Sequence, residues 1–181
     1  YQNTLMFFTS DNGAAKRFDG IHNSSGVMQG KKRSLNEGGI RVPMVVRWPG
    51  KIKAGRVSSH PWYFPDVMPT FAEIGGVSTE VPEDIDGISI LPTLLDEGEQ
   101  KLHEYMFWHY GVRAVRSGKW KGIGKGGHLY LYDLSKDIEE KNDLSSKHPE
   151  IAARMKKYIT IGYREPRSQK DDGKYTGKDK K

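Results

Sequence analysis

The sequence predicts an α/β fold in which a part built from strands and a helix is followed by a small antiparallel sheet with a packed helix. An uninterrupted apolar run, Leu5 to Phe8, is typical of a strand buried on both faces, as in a parallel sheet. Short strand-like segments separated by glycines follow in the second half of the chain. A final amphipathic pattern places one apolar face on a helix, formed by Ile151, Met155, Tyr158 and Ile159.

The first half of the chain is expected to contain a second strand and two helical segments. The strand is predicted at Pro43 to Trp48, after a double glycine. A helix is predicted from Asp66, a suitable N-cap, to the Gly75-Gly76 pair, which would end it. Pro69 then falls in the first turn, where its missing N–H costs nothing. The apolar segment from Ile88 to Leu95 is expected to be helical near its end.

The second half is predicted to form a subdomain that begins after a composition shift near residues 96–101. Its expected strands are Glu104 to Tyr110, Val112 to Trp120 and His128 to Tyr132, with a turn at Gly122 to Gly127. The last helix is expected to begin at Pro149 and to lie on this sheet. These boundaries divide the chain into domains 1–100 and 101–161, followed by a basic tail, 162–181, that we expect to be disordered.

Composition excludes several classes of protein. The formal charge of the 181 residues is +6, but residues 162–181 carry seven Lys or Arg and four Asp or Glu, so half of the surplus lies in the tail. The remainder is too evenly charged to predict a nucleic-acid-binding protein. Cysteine is absent, so disulfides, thiolate metal sites and a cysteine nucleophile are all excluded in this chain. No segment approaches the length of a membrane span.

The Asp11-Asn12-Gly13 sequence directly after the first apolar run is a candidate metal site. In open α/β folds, ligands bind outside the carboxyl ends of the strands. A carboxylate beside a carboxamide offers the hard oxygens that Ca²⁺ and Mg²⁺ take. The same three residues are also an ordinary turn sequence, because Asn and Gly tolerate left-handed backbone conformations.

A second motif lies about twenty residues later, in which Lys31, Lys32 and Arg33 lead into Glu37-Gly38-Gly39. A double glycine indicates a backbone with positive φ or in close approach to another surface. One of the lysines could reach an anion held at the strand edge, although such basic runs are more often solvated loops. Glu37 and Arg41 are expected to pair and hold the turn.

The chain resembles the C-terminal part of a sulfatase of the arylsulfatase type, in the alkaline-phosphatase-like superfamily. The resemblance extends to about Ile161 and rests on these motifs: TSDNG at 9–13, GKKRSLNEGGIRVP at 30–43, VVRWPGKI at 45–52, PDVMPTFAEIGG at 65–76, DGISILPTLL at 86–95, AVRSGKWKGI at 114–123 and LYDLSKDIEEKNDL at 131–144. It implies that the first part belongs to a mixed-sheet catalytic domain and the second to its small C-terminal subdomain.

The resemblance also implies roles for three residues. Asp11 and Asn12 match the pair that completes a Ca²⁺ site in such enzymes. Lys32, five residues before Glu37, matches the lysine that contacts the sulfate group, and Lys31 is its rival. An ammonium and a divalent cation suit this chemistry, because hydrolysis of a sulfate ester builds negative charge on its oxygens.

The chain departs from this family's pattern in its nucleophile. Such enzymes use a formylglycine made from Cys or Ser in a Cys/Ser-x-Pro-x-Arg motif. Here there is no Cys, and the sequence Ser59-His60-Pro61-Trp62-Tyr63 lacks the arginine. The chain opens at Tyr1 within a strand-like run, so we expect it to be part of a longer protein that supplies the nucleophile and the other metal ligands. We expect the chain alone to be inactive and to bind Ca²⁺ weakly.

Two histidines are candidates for substrate contact, although the sequence around neither of them specifically predicts this role. His109 lies in the aromatic segment FWHYG, and His22 lies in the loop between the two motifs. For each, a packing or surface role without a task is the more frequent outcome.

Further expectations follow from the resemblance. The substrate would be a sulfate ester, either an aryl sulfate or a sulfated glycan, and the N-terminal part of the same protein would be a partner. The location would be periplasmic or secreted. Two alternatives stay open: a phosphodiesterase or phosphonate hydrolase of the same superfamily, and a non-catalytic carbohydrate-binding module that uses the small sheet and its aromatic residues.

Overall fold

The structure is a computed structural model that describes residues 2–18 and 21–164. Its strands are β1 Met6–Thr9, β2 Met44–Arg47, β3 Met106–Tyr110, β4 Val112–Ser117, β5 Trp120–Lys125 and β6 His128–Asp133. Its α-helices are α1 Glu37–Ile40, α2 Val67–Ile74, α3 Leu91–Leu95 and α4 Pro149–Ile161, with 3-10 turns at Lys16–Phe18, Phe64–Asp66 and Ser78–Glu80. The part of the tail predicted to be disordered from residue 165 onward lies outside the described residues.

The chain forms two compact units. Of the described residues, one unit contains 2–9 and 43–103, and the other contains 10–18, 21–42 and 104–164. The domain boundaries predicted from sequence at residues 100 and 161 remain predictions. Among the described residues, no helix is long and apolar enough to cross a membrane.

The first unit contains a two-stranded sheet and two helices. Strands β1 and β2 pair antiparallel, with Met6 opposite Arg47 and Thr9 opposite Met44. Helix α2 ends at Gly75-Gly76, and α3 lies near the end of the predicted apolar segment, so both helical predictions are confirmed.

The prediction that the first strand is buried on both faces, as in a parallel sheet, is wrong for this structure. Met6 is 48% exposed and Phe8 is 71% exposed, whereas Phe7 packs edge-to-face on Phe71 at 5.5 Å. In the described chain, β1 pairs only with β2, and a two-stranded ribbon with one covered face leaves alternate side chains exposed. The continuous apolar run therefore did not indicate that β1 pairs antiparallel with β2 and exposes alternate side chains.

The second unit is built on a four-stranded antiparallel sheet in the order β3-β4-β5-β6. Helix α4 covers one face of the sheet, as predicted. Met155 and Tyr158 of this helix join Val115, Leu129 and Leu131 of the sheet in one buried cluster. Val115, Leu131 and Met155 are fully buried, so this cluster is the main apolar core of the unit.

The sheet has one strand more than predicted, because Gly122 and Gly124 belong to β5 rather than to a turn. Glycine is required at Gly122 by packing. A Cβ atom there would lie 2.9 Å from the Cβ of Met155 on α4, which is closer than side chains tolerate. The turn itself is formed by Gly126 and Gly127, both with positive φ.

The opposite face of the same sheet is covered by the segment that carries the second motif. Leu35 packs with Ala114, Ile123, Tyr132 and Leu134 in a second buried cluster. Because successive residues of a strand point to opposite faces, Ala114 and Val115 serve the two different clusters. The sheet is thus a layer between α4 and the motif segment.

Candidate functional site

The Asp11-Asn12 pair lies in a turn directly after β1. The carboxylate of Asp11 is exposed and the side chain of Asn12 is half-buried. The hydroxyl of Ser10 donates a hydrogen bond to the carbonyl oxygen of Asn12 at 2.8 Å, which stabilises the turn. We call residues 10–14 the Asp11 turn.

The Asp11 turn lies against the double glycine of the second motif. The N–H of Gly13 donates to the carbonyl oxygen of Gly39 at 2.9 Å. A Cβ atom on Gly13 would lie only 1.9 Å from the carbonyl oxygen of Gly38, and one on Gly38 would lie 2.4 Å from the carbonyl oxygen of Gly30. The glycines of both motifs are therefore required by close backbone approach, which for the double glycine is one of the two explanations that the sequence indicated.

Lys32 belongs to the segment that we call the Lys32 loop, residues 30–42. Its side chain is exposed, whereas that of Lys31 is half-buried. The N–H of Lys32 donates to the carbonyl oxygen of Ala14 at 2.9 Å, so the backbone of this loop is bonded to the Asp11 turn. Arg33, the next residue, has a φ of 75°, an uncommon conformation for a residue other than glycine. The structure thus brings the Asp11 turn and the Lys32 loop together.

Glu37 lies at the start of α1 and has a partner that the sequence did not indicate. It is 2% exposed, and its Oε1 lies 2.7 Å from Nζ of Lys121 on β5. Nη1 of Arg41 also lies 3.7 Å from Oε2 of Glu37, but the side chain of Arg41 is largely exposed. The expected Glu37–Arg41 pair is present, and the shorter and buried contact is the one with Lys121.

Glu140 completes this buried group. Its Oε2 accepts the N–H of Glu37 at 2.7 Å, and its Oε1 lies 3.3 Å from Nζ of Lys121. This long ion-pair contact with Lys121 is the one described for Oε1, which has no further hydrogen-bond partner. Burial raises the pKa of the Glu140 carboxyl, and the neighbouring Lys121 opposes that rise. We call Glu37, Lys121 and Glu140 the ionic cluster.

His22 lines an open pocket of about 470 Å³ next to the two motifs. Ala14 and Lys31 belong to the same lining, so the pocket borders both the Asp11 turn and the Lys32 loop. The ring of His22 lies 6.3 Å from that of Phe18. This position is compatible with substrate contact, which stays a prediction.

His109 lies on β3 with an exposed side chain. Its ring meets that of Tyr163 edge-to-face at 5.3 Å, and the guanidinium of Arg113 lies 3.5 Å above the centre of the Tyr163 ring. Such a cation–π contact holds the three side chains in one surface group. Substrate contact by His109 also stays a prediction.

The donors at the Asp11 turn fit a hard cation in kind. Carboxylate and carboxamide oxygens are the ligands that Ca²⁺ takes, usually six to eight in number. Two side chains supply only part of such a set. In the described residues, no group of three or more His, Asp or Glu side chains is arranged to hold a metal ion.

Comparison with known proteins identifies the family. The family model "N-sulphoglucosamine sulphohydrolase, C-terminal" matches residues 29–163. The chain therefore belongs to the family of sulfatase C-terminal regions, as the motifs indicated. The match begins one residue before the Lys32 loop and includes the whole four-stranded sheet and α4.

The chain is similar to human steryl-sulfatase, with 38% identity over 78% of this chain and 31% of that protein. It is also similar to an N-acetylgalactosamine-6-O-sulfatase of Bacteroides thetaiotaomicron, with 31% identity over 87% of this chain and 36% of that protein. The chain thus spans about a third of the length of these relatives.

A solved structure of a protein in complex with its substrate D-glucosamine-2-N,6-O-disulfate has the same fold. It superposes with a TM-score of 0.70 and 26% identity, over 89% of this chain and 34% of that one. The predicted fold class, the C-terminal portion of an alkaline-phosphatase-like domain with a small antiparallel sheet and a packed helix, is confirmed.

Proposed function

We propose that this chain supplies the cation-binding and sulfate-binding side of a sulfatase active site. Asp11 and Asn12 would be ligands of Ca²⁺, and Lys32 would contact the sulfate group of an ester. The observation that carries the proposal is the pair of backbone bonds, Gly13 to Gly39 and Lys32 to Ala14, by which the two motifs form one surface.

The chemistry of these side chains suits a sulfate ester. The leaving oxygen and the sulfate oxygens gain negative charge as the ester bond breaks, and the ammonium of Lys32 would neutralise part of that charge. Bound Ca²⁺ would polarise the same oxygens. Asp11 and Asn12 would place the cation beside the group that Lys32 contacts, because their turn is bonded to the Lys32 loop.

The chain alone should not turn over an ester, because it contains no cysteine and no Cys/Ser-x-Pro-x-Arg segment from which formylglycine could be made. The N-terminal part of a longer protein would supply that nucleophile. The relatives named as a steryl-sulfatase and an N-acetylgalactosamine-6-O-sulfatase support a sulfate ester as the substrate. Within that class we propose a sulfated glycan or an aryl sulfate. A secreted or periplasmic location is proposed on the same family basis.

Replacing Lys32 by alanine should weaken binding of p-nitrophenyl sulfate to the chain about fivefold, since an exposed charge contact contributes roughly 1 kcal/mol. The measurement is isothermal titration calorimetry at low ionic strength. Lys53→Ala is the matched control, because Lys53 is an exposed loop lysine in the other unit.

Lys31→Ala decides between the two neighbouring lysines. A larger loss for Lys31→Ala than for Lys32→Ala would assign the sulfate contact to Lys31. Equal affinity of the wild type and both variants would contradict a sulfate site in this loop. Tighter binding of p-nitrophenyl phosphate than of the sulfate would favour the phosphoester alternative.

Replacing Asp11 by asparagine should lower the affinity of the chain for Ca²⁺ at least tenfold, because the only charged ligand of the proposed pair is lost while its size is kept. Calorimetric titration with CaCl₂ measures this. Glu83→Gln, a change of an exposed carboxylate in a loop of the other unit, should leave the affinity unchanged. Calcium binding that survives Asp11→Asn would place the cation elsewhere.

A further inference from the structure

The ionic cluster joins three parts of the chain that are far apart in sequence. Glu37 begins α1 in the Lys32 loop, Lys121 lies in the middle of β5, and Glu140 follows β6. The Glu37–Lys121 and Glu37–Glu140 bonds span 84 and 103 residues, respectively. All three residues are at most 2% exposed, so water does not screen their charges. The cluster therefore connects the Lys32 loop directly to the four-stranded sheet.

Apolar packing beside the cluster ties the same loop to the same face of the sheet. Leu35 is 7% exposed and packs with Ala114, Ile123 and Tyr132, and Ile40 packs against the edge of this group. Burial raises the pKa of Tyr132 to about 12, and Glu140 adds to that rise. The hydroxyl of Tyr132 therefore stays neutral at physiological pH, so it adds no further negative charge beside the two carboxylates.

The loop in turn holds the proposed ligands. Gly39 accepts the N–H of Gly13, and Ala14 accepts the N–H of Lys32. The N–H of Gly38 donates to the carbonyl oxygen of Gln29 at 2.7 Å, which closes the base of the loop. Since Glu37 directly precedes this double glycine, a shift of Glu37 moves the backbone behind Asp11 and Lys32.

The composition of the cluster is poorly suited to a role in stability alone. Two carboxylates share one ammonium, and one oxygen of Glu140 has only a long 3.3 Å contact with that ammonium. Glu140 also has a φ of 53°, a conformation that non-glycine residues adopt only when their surroundings require it. Buried ion pairs of this kind are often replaceable by neutral groups without loss of stability. What neutral groups cannot reproduce is the defined position that short, charge-assisted bonds give.

We propose that Lys121 and Glu140 are positioning residues of the proposed site, which act through Glu37 to hold the Asp11 turn and the Lys32 loop in their binding arrangement. The effect of Lys121 and Glu140 on ligand binding rests on the proposed function. Their effect on the position of the Lys32 loop does not depend on that function. The small C-terminal sheet would then serve the active site as its support.

Hydrogen exchange followed by NMR tests this in the wild-type chain and in the variants. In the triple variant Glu37→Gln, Lys121→Met, Glu140→Gln, all charges of the cluster are removed together. We expect this variant to keep most of its resistance to urea, while the amides of Gly13, Lys32 and Gly38 exchange at least tenfold faster than in the wild type. Glu140→Gln alone, which keeps an acceptor for Glu37, should give a smaller increase at the same amides.

Two references separate loosening of the loop from loss of the fold. The amides of Ile88 and Ile90 belong to the first unit and bond to side chains of that same unit, so they should keep their wild-type rates. Lys125→Met, a change of an exposed lysine on the same strand as Lys121, should leave every amide unchanged. Wild-type protection of Gly13, Lys32 and Gly38 in the triple variant would overturn the proposal, as would an equal loss of protection throughout the chain.

The ligand measurement distinguishes failure of this inference from failure of the proposed function. If the wild type binds p-nitrophenyl sulfate, the triple variant should lose about as much affinity as Lys32→Ala. Loss of exchange protection at the amides of Gly13, Lys32 and Gly38 without loss of affinity for p-nitrophenyl sulfate would overturn the positioning role. If the wild type does not bind the ester, the proposed function is rejected, and the exchange rates alone still decide whether the cluster holds the loop.

Discussion

Replacing Lys121 alone by methionine should lower the free energy of unfolding by about 3–5 kcal/mol, the usual cost of removing one partner from a buried ionic group. Lys121 is fully buried, and its ammonium is the cation that Glu37 and Glu140 share. Without it, two carboxylates would be left facing each other away from water. Methionine keeps the length of the side chain, so that the loss reports on charge rather than on a cavity.

Urea denaturation of the wild type, Lys121→Met and Lys125→Met measures this effect. The control should lie within about 0.5 kcal/mol of the wild type, since Lys125 is exposed. The triple variant should recover most of the stability that Lys121→Met loses, because neither carboxylate of the ionic cluster is then left without its ammonium. A loss below about 1 kcal/mol for Lys121→Met would show that the buried contacts are not made as described.

Replacing Asp66 by alanine should destabilise the first unit by about 3–5 kcal/mol, because three partly buried donors lose their fully buried acceptor at once. Asp66 is fully buried. Its carboxylate accepts the N–H groups of Tyr63 at 3.0 Å and Ile88 at 2.9 Å, and it contacts Nε2 of His103 at 2.8 Å. These bonds connect the start of α2 to two later segments.

Thermal unfolding followed by circular dichroism measures the effect of Asp66→Ala, and Asp86→Ala serves as the control in the same unit. Asp86 is an exposed loop residue whose described contact is made by its carbonyl oxygen, so its side chain should contribute little. Equal midpoints for the two variants would mean that Asp66 does not have the structural role inferred from its bonds.

The sequence predicted the elements whose signals are local. The start of α4 at Pro149 and the end of α2 at Gly75-Gly76 are set by neighbouring residues, and the structure confirms both. The fold class followed from the motifs, and the comparisons confirm it. Asp66 lies directly before α2, as predicted, but it does not cap that helix, because the 3-10 turn Phe64–Asp66 already begins the helical segment. Its carboxylate instead accepts the N–H of Tyr63 locally and bonds to Ile88 and His103 later in the chain.

Features that depend on distant partners were not predictable. The sequence pattern assigns Gly122 to a turn, but in the structure it belongs to β5. Glycine is required there by the close approach of Met155, which is 33 positions away in the chain. The sequence did not indicate the ionic cluster, because Lys121 and Glu140, although both lie in segments that carry the resemblance, meet Glu37 only in the folded chain. For the candidate site, the motifs indicated Asp11, Asn12 and Lys32 but not the residues that hold them.

We propose that the Asp11 turn and the Lys32 loop form one surface for a cation and a sulfate ester. The most direct measurement is an NMR titration of the labelled chain with p-nitrophenyl sulfate, performed with and without CaCl₂. We expect the shifts to concentrate at Asn12, Gly13 and Lys32, and the affinity for the ester to rise when Ca²⁺ is present, because ligands bound side by side with opposite charge assist each other. Saturable shifts confined to the aromatic group of His109 and Tyr163, with no effect of Ca²⁺, would contradict the claim and favour a carbohydrate-binding module.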